Sequence, residues 1–494
     1  MSTDRYTSGR RLTQLASERP HQPAVIVARN GGCSDTLTMR ELDEWSSRLA
    51  HRLADAGVRQ HSFVAIHLPT CVEHVVATYA AHKLGACPTP LSAKLPAVER
   101  DGLLALAQPA AIVSDAPDLR GLSRDSLHRL DGYPATAPPD RIPEPHKAIA
   151  SGGSTGRPKL IVSPDAFAYP IGGNPHAKLF GIGDGDLLYA PGPLYHNQPF
   201  SSVLLTLFAG GTILLNEKFD AAVALDLIER HRPRTISLVP TMMQRMLRVE
   251  GIERRDLSSI RMLWHMASAC PAWVKRGWID LIGAEKVWEA WASTEMTGIT
   301  IIRGDEWLRK PGSVGKGFDT ELRIVGEDGG QLPPGVVGEI YSRMSGAPAR
   351  CRYVGSAPLR SLPGGFSSVG DLGYVDEDGY LFLSDRRVDL IVSGGANVYP
   401  AEVEAVLTQH PGVRDAVVIG LTDDDLGQRV HAIIEPHASC PTAEELDARL
   451  RQHLAGYKVP RSYEFVETLP RDESGKIRRS ALREQKTGQS LEKK

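Results

Sequence analysis

Five charged residues in this chain sit where they could work on phosphate and carboxylate. Lys159 closes the run Ser151-Gly152-Gly153-Ser154-Thr155-Gly156-Arg157-Pro158-Lys159. Glycine permits the positive φ angles that let several backbone N–H groups face one anion, and a lysine adds a point charge. The spacing differs from a Walker A loop, where Lys directly follows Gly and precedes Ser or Thr. Here Arg157-Pro158 intervenes and Leu160 follows. On its own such a run is more often a plain turn. Glu295, ending Trp291-Ala292-Ser293-Thr294-Glu295, offers the hard oxygen that a divalent cation prefers. An isolated acid is more commonly a solvated surface group. Asp371 in Gly370-Asp371-Leu372-Gly373 is either an acceptor for hydroxyls or a turn former. Arg386 lies in a stretch that reads equally as a linker. Lys476, in Ser474-Gly475-Lys476-Ile477-Arg478, would by position be a solubilising charge.

The elements that must hold these residues follow from periodicity. Leu42, Trp45, Leu49 and Leu53 recur at helical spacing and stop at Gly57. Residues 62–69 read as a buried strand, 73–86 as a helix ending at Gly85, and 110–115 as another strand. Such alternation predicts an α/β chain with parallel sheets covered on both faces. Past residue 380 the texture changes. Residues 401–412 and 443–456 are amphipathic helices, and 413–421 and 429–436 are strands, which together make a small α+β unit. The boundary falls near 386–389, giving domains 1–386 and 387–494, with a frayed polar tail after Gln485.

Composition narrows the class. The chain has 494 residues, 23% charged and 41% apolar, with a formal net charge of −2. No global basic field exists to draw nucleic acid or anionic lipid. The polar start lacks a signal peptide's apolar stretch, and residues 201–215, interrupted by Gly210-Gly211, are too short to span a membrane. Six scattered cysteines (33, 71, 87, 270, 351 and 440) contain no Cys-x-x-Cys pair, which argues for reduced thiols in the cytoplasm. These totals describe a soluble enzyme and leave its oligomeric state open.

The opening loop, 290–295, 370–380, 385–404 and 470–482 together resemble, in order and across nearly the whole chain, the adenylate-forming superfamily. That group holds acyl-CoA synthetases, peptide-synthetase adenylation domains and luciferases. The resemblance implies a large N-terminal domain of two β/α subdomains and a β-barrel, with a small mobile C-terminal domain. It implies ATP and Mg²⁺ as cofactors, a carboxylic acid as substrate and CoA as acceptor. Acid and ATP would give acyl-AMP and pyrophosphate, and a thiol would then expel AMP. Ser151, Gly152, Gly153, Ser154, Thr155, Gly156 and Lys159 would grip the β- and γ-phosphates. Glu295 would hold Mg²⁺ and Thr294 the α-phosphate. Asp371 would bind the ribose hydroxyls, Arg386 the ribose or bridging oxygen, and Lys476 the carboxylate and α-phosphate. Ala267, Ser268 and Ala269 would lie at the nucleotide, and His196 would gate the acyl pocket, whose walls come from 196–203 and 264–270. Gly394 and Gly395 would line a pantetheine tunnel after the small domain rotates.

Two departures stand out. The adenine-stacking segment, usually Tyr-Gly-x-Thr-Glu in this superfamily, carries Trp291, Ala292 and Ser293 here, and the Ala292 methyl narrows the carboxylate end. Val388 replaces the usual Asp or Lys of the hinge. Other readings stay open: transfer to a carrier protein or an amine, activation of nitrite for diazotisation, and a non-catalytic nucleotide binder.

Overall fold

The structure, a computed structural model, describes residues 5–29, 33–152, 158–163, 165–345, 351–386, 389–393, 396–423, 425–437, 439–472 and 475–491. Several of its helices begin at side-chain caps. The Thr38 hydroxyl accepts from Glu41 N at 3.2 Å, and Glu41 Oε2 takes the Thr38 N–H at 2.8 Å. This capping box satisfies two orphan donors and starts Met39–Asp55. Leu42, Leu49 and Leu53 are fully buried along its inner face. The next helix, Val72–Lys83, is buried on every side. Its terminal Lys83 is accommodated because Nζ meets Asp43 Oδ1 at 2.7 Å and Ser47 Oγ at 2.6 Å.

Parallel strands Cys87–Pro90, Phe63–His67 and Ala111–Ser114 form one small sheet. A larger sheet runs, in parallel, Pro23–Ala28, Thr212–Asn216, Leu187–Tyr189, Thr235–Leu238, Met262–His265 and Val287–Ala292. The antiparallel pair Ile299–Arg303 and Ser313–Gly317 continues it into an antiparallel array that includes Gly338–Met344, Asp371–Val375 and Leu381–Arg386. The expected α/β class is present, and the antiparallel strands, expected as a β-barrel, continue the larger sheet. Among the described residues no helix is long and apolar enough to cross a membrane.

The small domain is built on the long hairpin Val413–Asp423 and Gly427–Pro436. Helices Pro400–Leu407 and Ala443–His453 bury Val403, Leu407, Leu446 and Leu450 against it. The polar C-terminal segment, expected to fray after Gln485, instead stays helical over Arg479–Leu491. Leu482 packs into the core, and Lys486 Nζ binds Glu464 Oε1 at 2.6 Å. The two domains touch. Gln244 Nε2 and Arg248 Nη1 both donate to Arg414 O at 2.8 Å, and Arg478 forms a two-pronged pair with Glu99.

Burial of histidines gives the fold an acid limit. His74, His82 and His196 are pushed down to about 4, and His146 and His265 well below their ordinary value, in each case chiefly by burial. Unfolding exposes them to water, where they bind protons near pH 6.5. The unfolded chain therefore takes up more protons than the native one below that pH, and stability falls as pH drops from about 6.5 toward 4. We expect a Tm that is level above about pH 7 and declines steeply between 6.5 and 5, before most carboxylates titrate. A Tm unchanged from pH 7 to 5 would contradict this.

Candidate active site

Ligands of open α/β sheets bind outside the carboxyl ends of the parallel strands. Four such ends lie side by side here. After Leu187–Tyr189 the chain reaches His196, and after Thr235–Leu238 it enters helix Pro240–Leu247 with Thr241. After Met262–His265 come Ala267, Ser268 and Ala269, and after Val287–Ala292 come Ser293, Thr294 and Glu295. Parallel pairing alone thus gathers segments separated by up to a hundred residues in sequence.

The strands Lys147–Gly152 and Pro158–Ser163, which flank the glycine-rich run, pair antiparallel, with Ser151 opposite Lys159. Gly153, Ser154, Thr155 and Gly156 lie outside the described residues, and Ser151 and Gly152 are described by backbone alone. Lys159 Nζ stands 3.7 Å from Glu295 Oε1 and 3.6 Å above the ring of Tyr353. The Tyr353 hydroxyl donates to the same Glu295 oxygen at 2.6 Å. Glu295 is 8% exposed, so a buried carboxylate is held between a cation and a phenol. Tyr353 arrives on strand Arg352–Val354, which pairs with the lysine's own strand.

Asp371 and Arg386 are direct cross-strand partners, although the Arg386 side chain is not described. Asp371 Oδ2 accepts the indole N–H of Trp291 at 2.8 Å. Trp291 is 7% exposed and packs against Val314, Ile324, Ile340 and Leu381. The tryptophan that replaces the expected tyrosine thereby presents its N–H edge to the aspartate and fixes that carboxylate. Ala292 ends its strand exposed, and Thr294 is half-buried.

Ala267 to Ala269 are exposed, and Ala267 holds φ +80°, a left-handed backbone that costs an alanine about 1 kcal/mol. The loop is fixed from behind. Lys275, fully buried in the following helix Ala272–Ile282, meets Glu289 Oε2 on the neighbouring strand at 2.6 Å, with the Trp307 ring 4.9 Å from its amine. Burial raises Glu289, which the lysine opposes.

The small domain reaches this edge through one loop. Arg471 and Ile477 pair as its base, Arg471 grips Asp415 through two nitrogens and donates to Gly475 O at 2.9 Å. Lys476 N donates to Asp472 Oδ1 at 2.9 Å. Asp472 Oδ2 lies 3.8 Å from His196 Nε2. His196 is held down to about 4 by burial first and by the nearby Lys476 ammonium second. It is therefore a neutral imidazole, and its Nε2 has no hydrogen-bond partner among the described residues. Lys476 is exposed toward this edge, with His196 in its field. Gly394 and Gly395 lie outside the described residues, as does Val388.

Several polar contacts behind the site were not singled out from the sequence. Gln198 Nε2 bonds Ser202 Oγ at 2.9 Å and Ser237 Oγ at 2.5 Å, so the helix following His196 carries a polar face. Lys147 Nζ, buried and lowered to about 8, bonds Ser201 Oγ at 2.9 Å. Gln198 and Ser202 fall within residues 196–203, expected to wall the acyl pocket, whereas Lys147 and Ser237 belong to no expected site. Only the i, i+4 spacing of Gln198 and Ser202 could have signalled one face.

A family model described as AMP-binding enzyme matches residues 12–347, and one described as AMP-binding enzyme C-terminal domain matches 402–476. A feruloyl-CoA synthase of an Amycolatopsis species is 34% identical over 94% of this chain and 96% of that protein. A 2-succinylbenzoate–CoA ligase of Bacillus pumilus is 31% identical over 90% of this chain and 92% of that one. Among solved structures, the o-succinylbenzoate CoA synthetase of Bacillus subtilis with its acyl-adenylate intermediate superposes with a TM-score of 0.82. It is 28% identical and covers 97% of this chain and 98% of that one.

Proposed function

The chain belongs to the AMP-binding enzyme family, and from that premise we propose that it activates a carboxylic acid with ATP and passes the acyl group to CoA. The observation that carries this reading is the convergence of Lys159, Glu295, Asp371 and the Lys476 loop on one sheet edge. In the first half-reaction a carboxylate oxygen bonds to the α-phosphorus while the bond to the bridging oxygen breaks, and pyrophosphate leaves. Two anions must meet, so cations aimed at the accumulating charge dominate the catalysis. Lys159 faces the departing phosphates and Lys476 the joining carboxylate and α-phosphate. Asp371, fixed by Trp291, accepts from the ribose hydroxyls, and Arg386 is delivered from the neighbouring strand.

Mg²⁺ is commonly held by one or two carboxylates together with substrate phosphates, and the buried Glu295 carboxylate beside Lys159 fits that pattern. Bound there, the ion would neutralise phosphate charge. In the second half-reaction the thiol sulfur bonds to the acyl carbon, AMP leaves, and the thiol proton passes to solvent. We place the domain boundary at 386/387, with the small domain turning between the two steps. The polar face formed by Gln198, Ser202 and Ser237, with Lys147 nearby on Ser201, favours acids that carry hydroxyl or carboxylate substituents over plain alkyl chains.

The test is an acceptor-resolved assay. Protein, ATP and Mg²⁺ are incubated with hydroxylated aromatic acids, dicarboxylic acids and fatty acids. Each is run with CoA, with a pantetheinylated carrier protein, with an amine, and without acceptor, and products are identified by mass spectrometry. Acyl-CoA from at least one polar acid is expected. AMP release with no acyl-CoA from any acid would overturn the reading.

A further inference from the structure

Away from the catalytic edge, an open cleft of about 630 Å³ lies between the two domains. The large domain lines it with Arg248, Trp273 and Arg276, and the small domain with His410, His437 and Arg449. No Asp or Glu is among its lining residues, although the chain as a whole is slightly acidic. Arg248 lies in the field of Asp415 and Glu435, whereas Arg276 and Arg449 form no ion pair among the described residues. Arg276 contacts the Trp307 ring at 5.7 Å. Among the described residues, the buried Arg449 Nε has no hydrogen-bond partner and the buried Trp273 Nε1 no acceptor. Arg248 donates to the carbonyls of Arg414 and Val413, which fixes it across the domain boundary, with its guanidinium 5.5 Å from the Trp273 ring. Helix Ala272–Ile282 also begins here, without a side-chain cap, and adds its positive end.

We propose that this interdomain cleft binds a polyphosphate anion of nucleotide size. Arginines gathered with few counter-ions repel one another, and a multivalent anion relieves that repulsion. Guanidinium groups match phosphate oxygens in paired hydrogen bonds, which lysines cannot reproduce. The volume falls within the range of about 300–1,000 Å³ usual for small-molecule sites. The Trp273 indole offers a ring against which a base can lie. The site is built half from each domain, so the ligand is gripped only while the domains are docked in this arrangement. Its occupancy would hold the small domain in place and slow whichever step needs that domain to turn. This consequence rests on the domain rotation proposed above, whereas binding does not.

The experiment separates the two. Calorimetry with tripolyphosphate and with ADP, at low salt and in saturating AMP to fill the catalytic nucleotide site, is run on the wild type, on Arg276→Glu/Arg449→Glu and on Lys159→Ala. Binding is expected in the wild type and in Lys159→Ala, and weaker by about tenfold or more in the double charge reversal, the loss of at least one charge-assisted contact. Tighter binding of ADP than of tripolyphosphate would assign a role to Trp273, and equal binding would assign the site to phosphate alone. The milder Arg276→Gln/Arg449→Gln, checked by retained acyl-AMP formation, guards against misfolding of the reversal. No binding in saturating AMP, or equal binding to wild type and both double variants, overturns the site. Tripolyphosphate is further expected to slow thioester formation from supplied acyl-AMP in the wild type but not in the double variants. If binding stands and this slowing is missing, the control of domain rotation falls while the site remains.

Discussion

Lys476→Ala is expected to lower acyl-AMP formation by about 10²–10³-fold in kcat/KM, the size of effect seen when one preorganised charge donor is removed from a reacting centre. Thioester formation from supplied acyl-AMP should change little. The asymmetry follows from where the residue sits. Its loop leans on the sheet edge through Asp472 at His196, and the ammonium lies within the field of that buried imidazole. His196 is neutral and cannot replace a cation when the carboxylate approaches phosphate. No attack on phosphorus takes place in the second half-reaction, so the same charge has no comparable task there. Separate single-turnover measurements of the two halves decide the matter. Equal losses in both would assign Lys476 a general structural role and remove it from the adenylation step.

The sequence made some of this legible because the chemistry is local. Lys159, Glu295, Asp371 and Lys476 each sit in a short motif. The helix from Met39 was readable for a similar reason, since its capping residues and its apolar repeat lie within one stretch. The partners were not legible. Tyr353 reaches Glu295 from 58 residues away, through a strand that pairs with the strand carrying Lys159. Lys275 and Glu289, outside every motif, form a buried pair behind residues 267–269. The tail after Gln485 is polar enough to suggest fraying, and tertiary contacts at Leu482 and Lys486 hold it as a helix. Trp291 shows the limit most clearly. Its identity suggests a ring for stacking, while its surroundings bury the ring and use the N–H. Motifs record what a residue can do, and pairing across distant strands decides which of those things it does.

Gly475→Ala should disable adenylation nearly as well as removing the lysine beside it, although it deletes no functional group. Gly475 has φ +77°, a conformation that costs any other residue about 1–2 kcal/mol. A Cβ added there would lie 2.0 Å from Thr241 Oγ1 and 2.8 Å from Thr241 Cβ. Thr241 cannot swing aside as a long side chain would, because it is β-branched and held at the start of helix Pro240–Leu247. The loop must therefore lift. It cannot lift alone, because Arg471 ties it to Asp415 and to Gly475 O within the small domain. The whole small-domain face is levered off the edge, and Lys476 moves with it. A displacement of about 1 Å at a reacting centre can cost about 10²-fold, so we expect a loss of about 10–10²-fold in acyl-AMP formation, with thioester formation from supplied acyl-AMP largely retained. Adding Thr241→Gly should recover part of the loss and no more, since it removes the collision and leaves the strained backbone. Full activity in Gly475→Ala would show that the loop does not dock against Thr241 during adenylation. An equal loss in the double variant would assign the effect to backbone strain alone.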